Sequence, residues 1–263
     1  MVIHRRIAFT LVELLMVMGM ISILATILMP TIGRIRESAR RTGCGASLAA
    51  IGRGVQQYAG QNKGAIPWFT EASADSSYLG KNCKNASAVS DGNTRQWFNL
   101  VKGPIFFAKI DHFICPSDTR VKANAPCPST NVDFPADPGG PTISFSLAMT
   151  KVNPPNGVKP TWADSGELAI AADHNGAAPW SWDGSAKAWK AVLDTSKANT
   201  NSPNHEPDGQ NVLFRGGDVS WTGTPICGAP EEKADGTLGP DDNIWTSQSG
   251  SYPRNEKDSF LRP

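Results

Sequence analysis

The sequence has little charge of one sign to spare, with 25 Lys and Arg against 24 Asp and Glu and a formal net charge of +1. That balance leaves no chain-wide electrostatic footprint for nucleic acid. Cysteine is also scarce, and five in 263 residues cannot build a disulfide-dense scaffold. Gly and Pro, at 25 and 20 residues, stay below the share at which composition alone argues for disorder. No internal repeat is present. The patterns H-E-x-x-H, G-x-S-x-G and C-x-x-C are all missing, so the motifs of zinc metalloproteases, α/β-hydrolases and paired-cysteine metal or redox sites are not in the chain. A mildly hydrophilic average excludes a polytopic membrane protein, and eight Trp point to a packed core. The average hides one segment.

Residues 9–30 read FTLVELLMVMGMISILATILMP, and sixteen consecutive residues, 14–29, carry no charge. A helix over residues 9–29 is about 31 Å long, which matches a hydrocarbon core of roughly 30 Å. Arg5 and Arg6 precede the run, so the positive-inside rule places residues 1–8 in the cytoplasm and the bulk of the chain outside. Three readings compete. A cleaved secretory signal needs a small-residue site after the apolar run, and residues 24–29 offer a poor one. A buried helix of a soluble protein is rarely this long and apolar on every face. A plain signal anchor accommodates the length but gives no reason for Glu13, since an ionisable group inside a span costs a few kcal/mol and marks a functional position.

The stretch Ala8-Phe9-Thr10-Leu11-Val12-Glu13-Leu14-Leu15 resembles the N-terminus of the type IV pilin superfamily, which includes the pseudopilins of type II secretion. The resemblance implies that prepilin peptidase cuts between Ala8 and Phe9 and methylates the new amino group of Phe9, leaving the apolar helix attached. Ala8 stands where that family more usually has Gly. Glu13 becomes the fifth residue of the processed chain. In the family this acid pairs, within the bilayer, with the N-terminal ammonium of a neighbouring subunit, and breaking a buried pair of that kind typically costs about 3–5 kcal/mol. Pro30 falls where the long pilin helix commonly has a proline that kinks or melts it. The implied partners are prepilin peptidase, an inner-membrane assembly platform with its ATPase, and other pilin-like subunits.

Beyond Pro30 the pattern turns amphipathic. Ile32, Ile35 and Ala39 lie at helical spacing, as do Leu48, Ile51, Val55 and Tyr58, with Arg34, Arg36, Arg40, Arg41 and Arg53 on the polar side. The helix is expected over residues 9–59, stopped by Gly60, Asn62 and Gly64. Its second half should bury one stripe against a head. Gly43, Gly45, Gly52 and Gly54 each weaken the helix by up to about 1 kcal/mol relative to Ala, which suggests close packing or subunit contact as well as plain tolerance. The arginine cluster at 34–41, just outside the span, suits anionic headgroups or solvent better than nucleic acid.

The head, residues 63–263, is rich in Gly, Pro, Asn and Ser. Its strand candidates are 105–107, 143–147, 168–172, 189–193, 212–214 and 219–221, with Arg215-Gly216-Gly217 as a hairpin turn between the last two. Long loops are read at 72–94, 123–141 and 225–242. Phe113-Ile114-Cys115-Pro116-Ser117-Asp118 resembles the F-x-C-P-S-D segment of a large pilin-like group with a C-terminal H-x9-D-G signature. Residues 204–219 resemble the N-V-L-F-x-D-G-x-V frame of that signature, but Gly216 stands where it has Asp, and ten residues rather than nine separate it from His205. Asp218 is the nearby acid that a histidine–aspartate pair could use instead, a hairpin being the plainer reading.

Other candidate sites are weighed against ordinary structural roles. His112, His174 and His205 with neighbouring acids could be drawn as a metal or acid–base site, or be turn and surface residues. The loop 234–245 resembles the calcium loop of major pseudopilins, which makes Asp235, Asp241 and Asp242 candidate calcium ligands; a solvated acidic turn is the alternative. No cofactor is required by either reading. All five Cys lie beyond the span, in an oxidising compartment, and their odd number leaves at least one unpaired. The subgroup resemblance implies a Cys44–Cys115 bridge, and Cys115–Cys127 is the sequence-local alternative. Trp180, Trp182 and Trp189 suit either β-core packing or an aromatic platform.

The expectation is an α+β protein. A leader (1–8) precedes a transmembrane assembly helix (9–30), its amphipathic continuation (31–62) and an extracytoplasmic head (63–263) in which the helix packs on a loop-rich antiparallel sheet. The expected function is that of a non-enzymatic, pilin-like filament subunit, single-pass in the inner membrane. A membrane-anchored carbohydrate- or protein-binding module exported by pilin signals is the alternative, with an anchored hydrolase using His174 and His205 less favoured.

Overall fold

The computed structural model describes residues 10–67, 78–79, 94–102, 108–121, 134, 143–148, 166–178, 180–185, 188–191, 193–230, 235–246 and 261–262. Ala8 and Phe9, the strand candidate 105–107, and Cys83 and Cys127 lie outside these residues. The described elements are α1 (Leu11–Gln61), β1 (Tyr78–Leu79), α2 (Thr94–Lys102), β2 (Phe145–Ala148), β3 (Ala169–Asp173), β4 (Trp180–Asp183), β5 (Ala188–Ala191), β6 (Asn204–Pro207), β7 (Gln210–Phe214), β8 (Val219–Thr222), β9 (Ile226–Gly228), β10 (Asp242–Asn243) and β11 (Leu261–Arg262). Two short 3-10 helices, Ile110–Phe113 and Thr195–Lys197, interrupt the loops. The chain is an α+β mix with an apolar N-terminal helix and antiparallel sheets. It divides into two compact units between Ala39 and Arg40.

The first unit is the N-terminal part of α1. None of Leu11–Met29 is buried, and that run is long and apolar enough to cross a membrane. Its hydroxyl groups are satisfied within the helix, as an apolar solvent requires: Ser22 donates to Met18 O at 2.8 Å and Thr26 to Ile23 O at 2.8 Å. The helix continues through Pro30, whose ring nitrogen donates no bond to the preceding turn. Thr31 just beyond donates its hydroxyl to Leu28 O at 2.8 Å. Ile32 and Ile35 stay exposed, so the early part of the expected amphipathic stripe buries nothing.

In the second unit the stripe is real. Cys44, Leu48, Ile51 and Val55 are fully buried and Ala59 nearly so, with Tyr58 packed half-buried beside them. The helix glycines let the sheet come close. A Cβ on Gly52 would sit 2.9 Å from Leu213 Cδ1, one on Gly45 3.3 Å from Asn211 Oδ1, and one on Gly43 3.3 Å from Pro116 Cγ. The cost in helix propensity is therefore offset by close packing. The helix ends where Lys63 adopts a left-handed conformation and Gly64 N–H donates back to Ala59 O at 2.8 Å, a Schellman-type stop.

The main sheet runs β11-β2-β3-β7-β8, every neighbour antiparallel. Strands β2 and β3 are buried at every residue, as expected where both faces are covered. The β7–β8 hairpin turns through residues 215–218, with positive φ at Gly217 and not at Gly216. Strand β5 pairs with β1 on one side and β4 on the other in a smaller sheet that sets Trp182 opposite Trp189; the side chains of Trp180, Trp182 and Trp189 lie outside what the structure describes. Gly209, between β6 and β7, has φ +154, and a Cβ there would stand 2.3 Å from Thr222 O. Gly209→Ala is therefore expected to lose about 1–3 kcal/mol from backbone strain alone, read as a lower melting temperature with the secondary structure retained.

Candidate functional site

Two places bring unusual chemistry together, one in each unit. At the start of α1, Thr10 and Glu13 form a reciprocal capping box. Glu13 Oε2 accepts from Thr10 N at 2.9 Å and from Thr10 Oγ1 at 2.8 Å, while Thr10 Oγ1 accepts from Glu13 N at 3.3 Å. The signal for it, Thr10-x-x-Glu13 directly before an apolar run, is plain in the sequence. A helix entering an apolar medium has orphan N–H groups at its start, and this pair satisfies them locally. The acid thus has a structural use that any anchor helix shares.

The second place is buried in the head, between α1 and the central strand of the main sheet. Cys44 on α1 is joined by a disulfide to Cys115, just after the 3-10 helix Ile110–Phe113, which ties the helix to a segment 71 residues away. Beside the bridge lie Asp173, the last residue of β3, and His205 of β6. His205 Nε2 is 3.2 Å from Asp173 Oδ2 and 3.6 Å from Cys115 Sγ. All four residues are buried. Asp173 Oδ2 also accepts from Asn211 N at 2.7 Å and from Asn211 Nδ2 at 3.1 Å, and the same Nδ2 donates to Arg41 O at 3.3 Å. Asp173 Oδ1 is buried and receives no hydrogen bond among the described residues.

Surrounding side chains hold this arrangement. Asp118 takes Arg120 in a two-pronged ion pair at 2.8 and 2.7 Å, and Arg120 Nη2 donates to Asn204 Oδ1 at 3.1 Å. Asn204 Nδ2 in turn donates to Ser144 O at 3.2 Å, so the residue before His205 is anchored on two sides. Trp221 packs edge-on to His205 with ring centroids 5.5 Å apart, and Arg41 stacks on Trp221 at 4.5 Å while pairing with Asp208. Arg41 is thus spent inside the head, whereas Arg34, Arg36 and Arg40 are exposed.

The carboxylate that meets His205 is Asp173, not Asp218, which is exposed in the β7–β8 turn. The sequence frame around the hairpin gave no hint of it, because β3 is brought alongside β7 by sheet pairing. The three histidines do not assemble into an acid–base site. His112 Nδ1 accepts from Lys109 N at 3.2 Å at its own 3-10 helix. His174 is buried, and burial, aided by the nearby Arg120 charge, holds its imidazole well below the usual range and so neutral.

Among the described residues one group of three or more Cys, His, Asp or Glu converges tightly enough to hold a metal: Cys44, Cys115, Asp173 and His205. Asp235, Asp241 and Asp242 are not in it. Asp235 Oδ1 instead accepts from Thr237 N at 2.9 Å and Oγ1 at 2.6 Å, bonds that lower its carboxyl below the usual range, and Asp242 Oδ1 accepts from Asn243 N at 2.9 Å. The loop closes on Trp245, which is buried and donates Nε1 to Thr200 O at 3.0 Å. No protein-family model, curated protein or solved structure matches the chain. Function has to be argued from its own residues.

Among the described residues Cys227 is in no disulfide, and burial pushes its thiol up from 9.0 to about 11. Near neutral pH this leaves roughly a hundredfold less thiolate than an unperturbed cysteine would have. Iodoacetamide at pH 8 should label Cys227 slowly in the native chain and quickly in urea. The native rate should rise about tenfold per pH unit toward pH 11, read by peptide mass spectrometry.

Proposed function

We propose that this chain is a pilin-like structural subunit, held in the inner membrane by α1 with its head extracytoplasmic, and assembled into a type II secretion pseudopilus or a related type IV pilus-like filament. The observation that carries the reading is the A-F-T-L-V-E-L-L sequence at the head of a helix whose first 19 residues, Leu11–Met29, are exposed and, apart from Glu13, uncharged. The later turns of that same helix bury Leu48, Ile51 and Val55 in the core of an antiparallel-sheet domain, the place a pilin-like head would take. Prepilin peptidase acts between Ala8 and Phe9, and the ammonium of Phe9 on one subunit meets Glu13 of another. The chain works by polymerising rather than by catalysis, with the assembly platform and its ATPase as the machinery. In cells, cysteine pairs engineered along the N-terminal half of α1 should crosslink this chain to itself or to other pilin-like subunits. Absence of every such crosslink in membranes that contain the processed chain contradicts the reading.

A second reading, an anchored binding module, is favoured by the capping box, which accounts for Glu13 without any neighbour. It differs in outcome: the head would bind a glycan or a protein equally well whether residue 13 is Glu or Gln.

A further inference from the structure

We propose that, whenever Cys44 and Cys115 are dithiols, the quartet Cys44, Cys115, Asp173 and His205 binds one zinc ion. The inference stands apart from the filament reading and rests on geometry within the head. Four donor atoms of the right kinds lie within 4.8 Å of one another. Metal bonds of about 2.0–2.3 Å at tetrahedral angles put a ligand nitrogen about 3.4 Å from a ligand oxygen and about 3.6 Å from a ligand sulfur. His205 Nε2 lies 3.2 Å from Asp173 Oδ2 and 3.6 Å from Cys115 Sγ. Only the sulfurs must move, from bonded contact to about 3.8 Å apart, by rotation of the two cysteine side chains.

The surroundings suit a metal better than the obvious rival, a Cys–His–Asp nucleophile. That relay needs the thiol at one ring nitrogen and the carboxylate at the other. Here both meet Nε2, and the group is buried beyond the reach of a substrate. One nitrogen, one carboxylate oxygen and two sulfurs turned toward a common point are what a cation demands. Asp173 Oδ2 is oriented by two donors from Asn211, the usual support for a ligating carboxylate. The buried Oδ1, with no donor among the described residues, leaves the carboxylate with capacity that a cation would use.

Disulfide and metal exclude one another, since zinc takes thiolates. A phosphine reductant passes two electrons to the bond, and water supplies the oxygen of the phosphine oxide and the protons of the two thiols. Zinc binding then releases those two protons.

The test uses the full chain in detergent, reduced with a phosphine, exchanged anaerobically into zinc and freed of excess by gel filtration. About one zinc per chain is expected in the dithiol form, and also in a Cys83→Ser/Cys127→Ser/Cys227→Ser variant; close to none is expected in the disulfide form. Cobalt(II) in place of zinc should give thiolate charge-transfer absorption and the d–d bands of a tetrahedral ion. His205→Ala should lose the ion. His205→Cys should keep it and strengthen the charge-transfer band, as thiolates rise from two to three, an outcome that a merely folded or unfolded chain does not produce. A dithiol form without zinc, folded or not, overturns the proposal. So does zinc retained equally by Cys44→Ser/Cys115→Ser.

Discussion

Glu13→Gln is expected to insert into the membrane as the wild type does and to be lost from filaments. Insertion follows from the 19-residue run Leu11–Met29, whose single charge the substitution removes. On the filament reading, assembly requires the carboxylate. An ammonium brought into the bilayer without its counter-charge is stranded, at about 3–5 kcal/mol, which lowers incorporation by roughly two to four orders of magnitude. The capping box supplies the control. Thr10→Ala removes the hydroxyl partner of Glu13 and leaves the charge, at a loss of about 0.5–2 kcal/mol in helix stability. If pairing between subunits is the role of Glu13, Thr10→Ala polymerises nearly normally and Glu13→Gln does not. Equal defects in the two variants, measured in the same crosslinking assay, would reduce Glu13 to a helix cap.

Breaking Cys44–Cys115 should have the largest effect on stability. A bridge closing a loop of 71 residues restrains the unfolded chain by about 4 kcal/mol on the chain-entropy estimate. Cys44→Ala/Cys115→Ala, or reduction in the presence of a chelator, should lower the melting temperature by about 8–16 °C for a domain of this size. The chelator matters because zinc in the dithiol form would restore part of the loss. A change below about 1 kcal/mol would mean that the helix is fixed to the head by Leu48, Ile51 and Val55 alone. Cys115 paired to Cys127 in peptide maps would contradict the bridge itself.

The long helix was legible because its signals are local. The apolar run, the Leu48–Ile51–Val55 spacing and the Asn62–Gly64 stop each lie within a few residues, and α1 begins and ends within two residues of the expected bounds. The helix glycines were ambiguous until Leu213 and Asn211 were seen against them. Strands β2, β3, β5, β7 and β8 overlap apolar runs read as strands, whereas β6, β9 and β10 are short, polar or Pro-flanked and carry no period, and the Trp-Ser-Trp-Asp alternation of β4 lasts only four residues. The quartet was half visible. Cys44 and Cys115 were joined by resemblance, and His205 was singled out for a motif whose acid is missing. Its true partner, Asp173, depends on sheet register, which no local pattern encodes. Burial of the unremarkable Asp173-His174 pair likewise follows from β3 being covered on both faces.

The central claim is that α1 is an assembly helix made by one cut. Intact-mass spectrometry of the membrane-extracted chain tests it most directly. The chain is expected to begin at Phe9 with a methylated amino group and to be two hydrogen atoms lighter than its dithiol form for the Cys44–Cys115 bridge. A chain still beginning at Met1, or one shortened to a start beyond Met29, would contradict it.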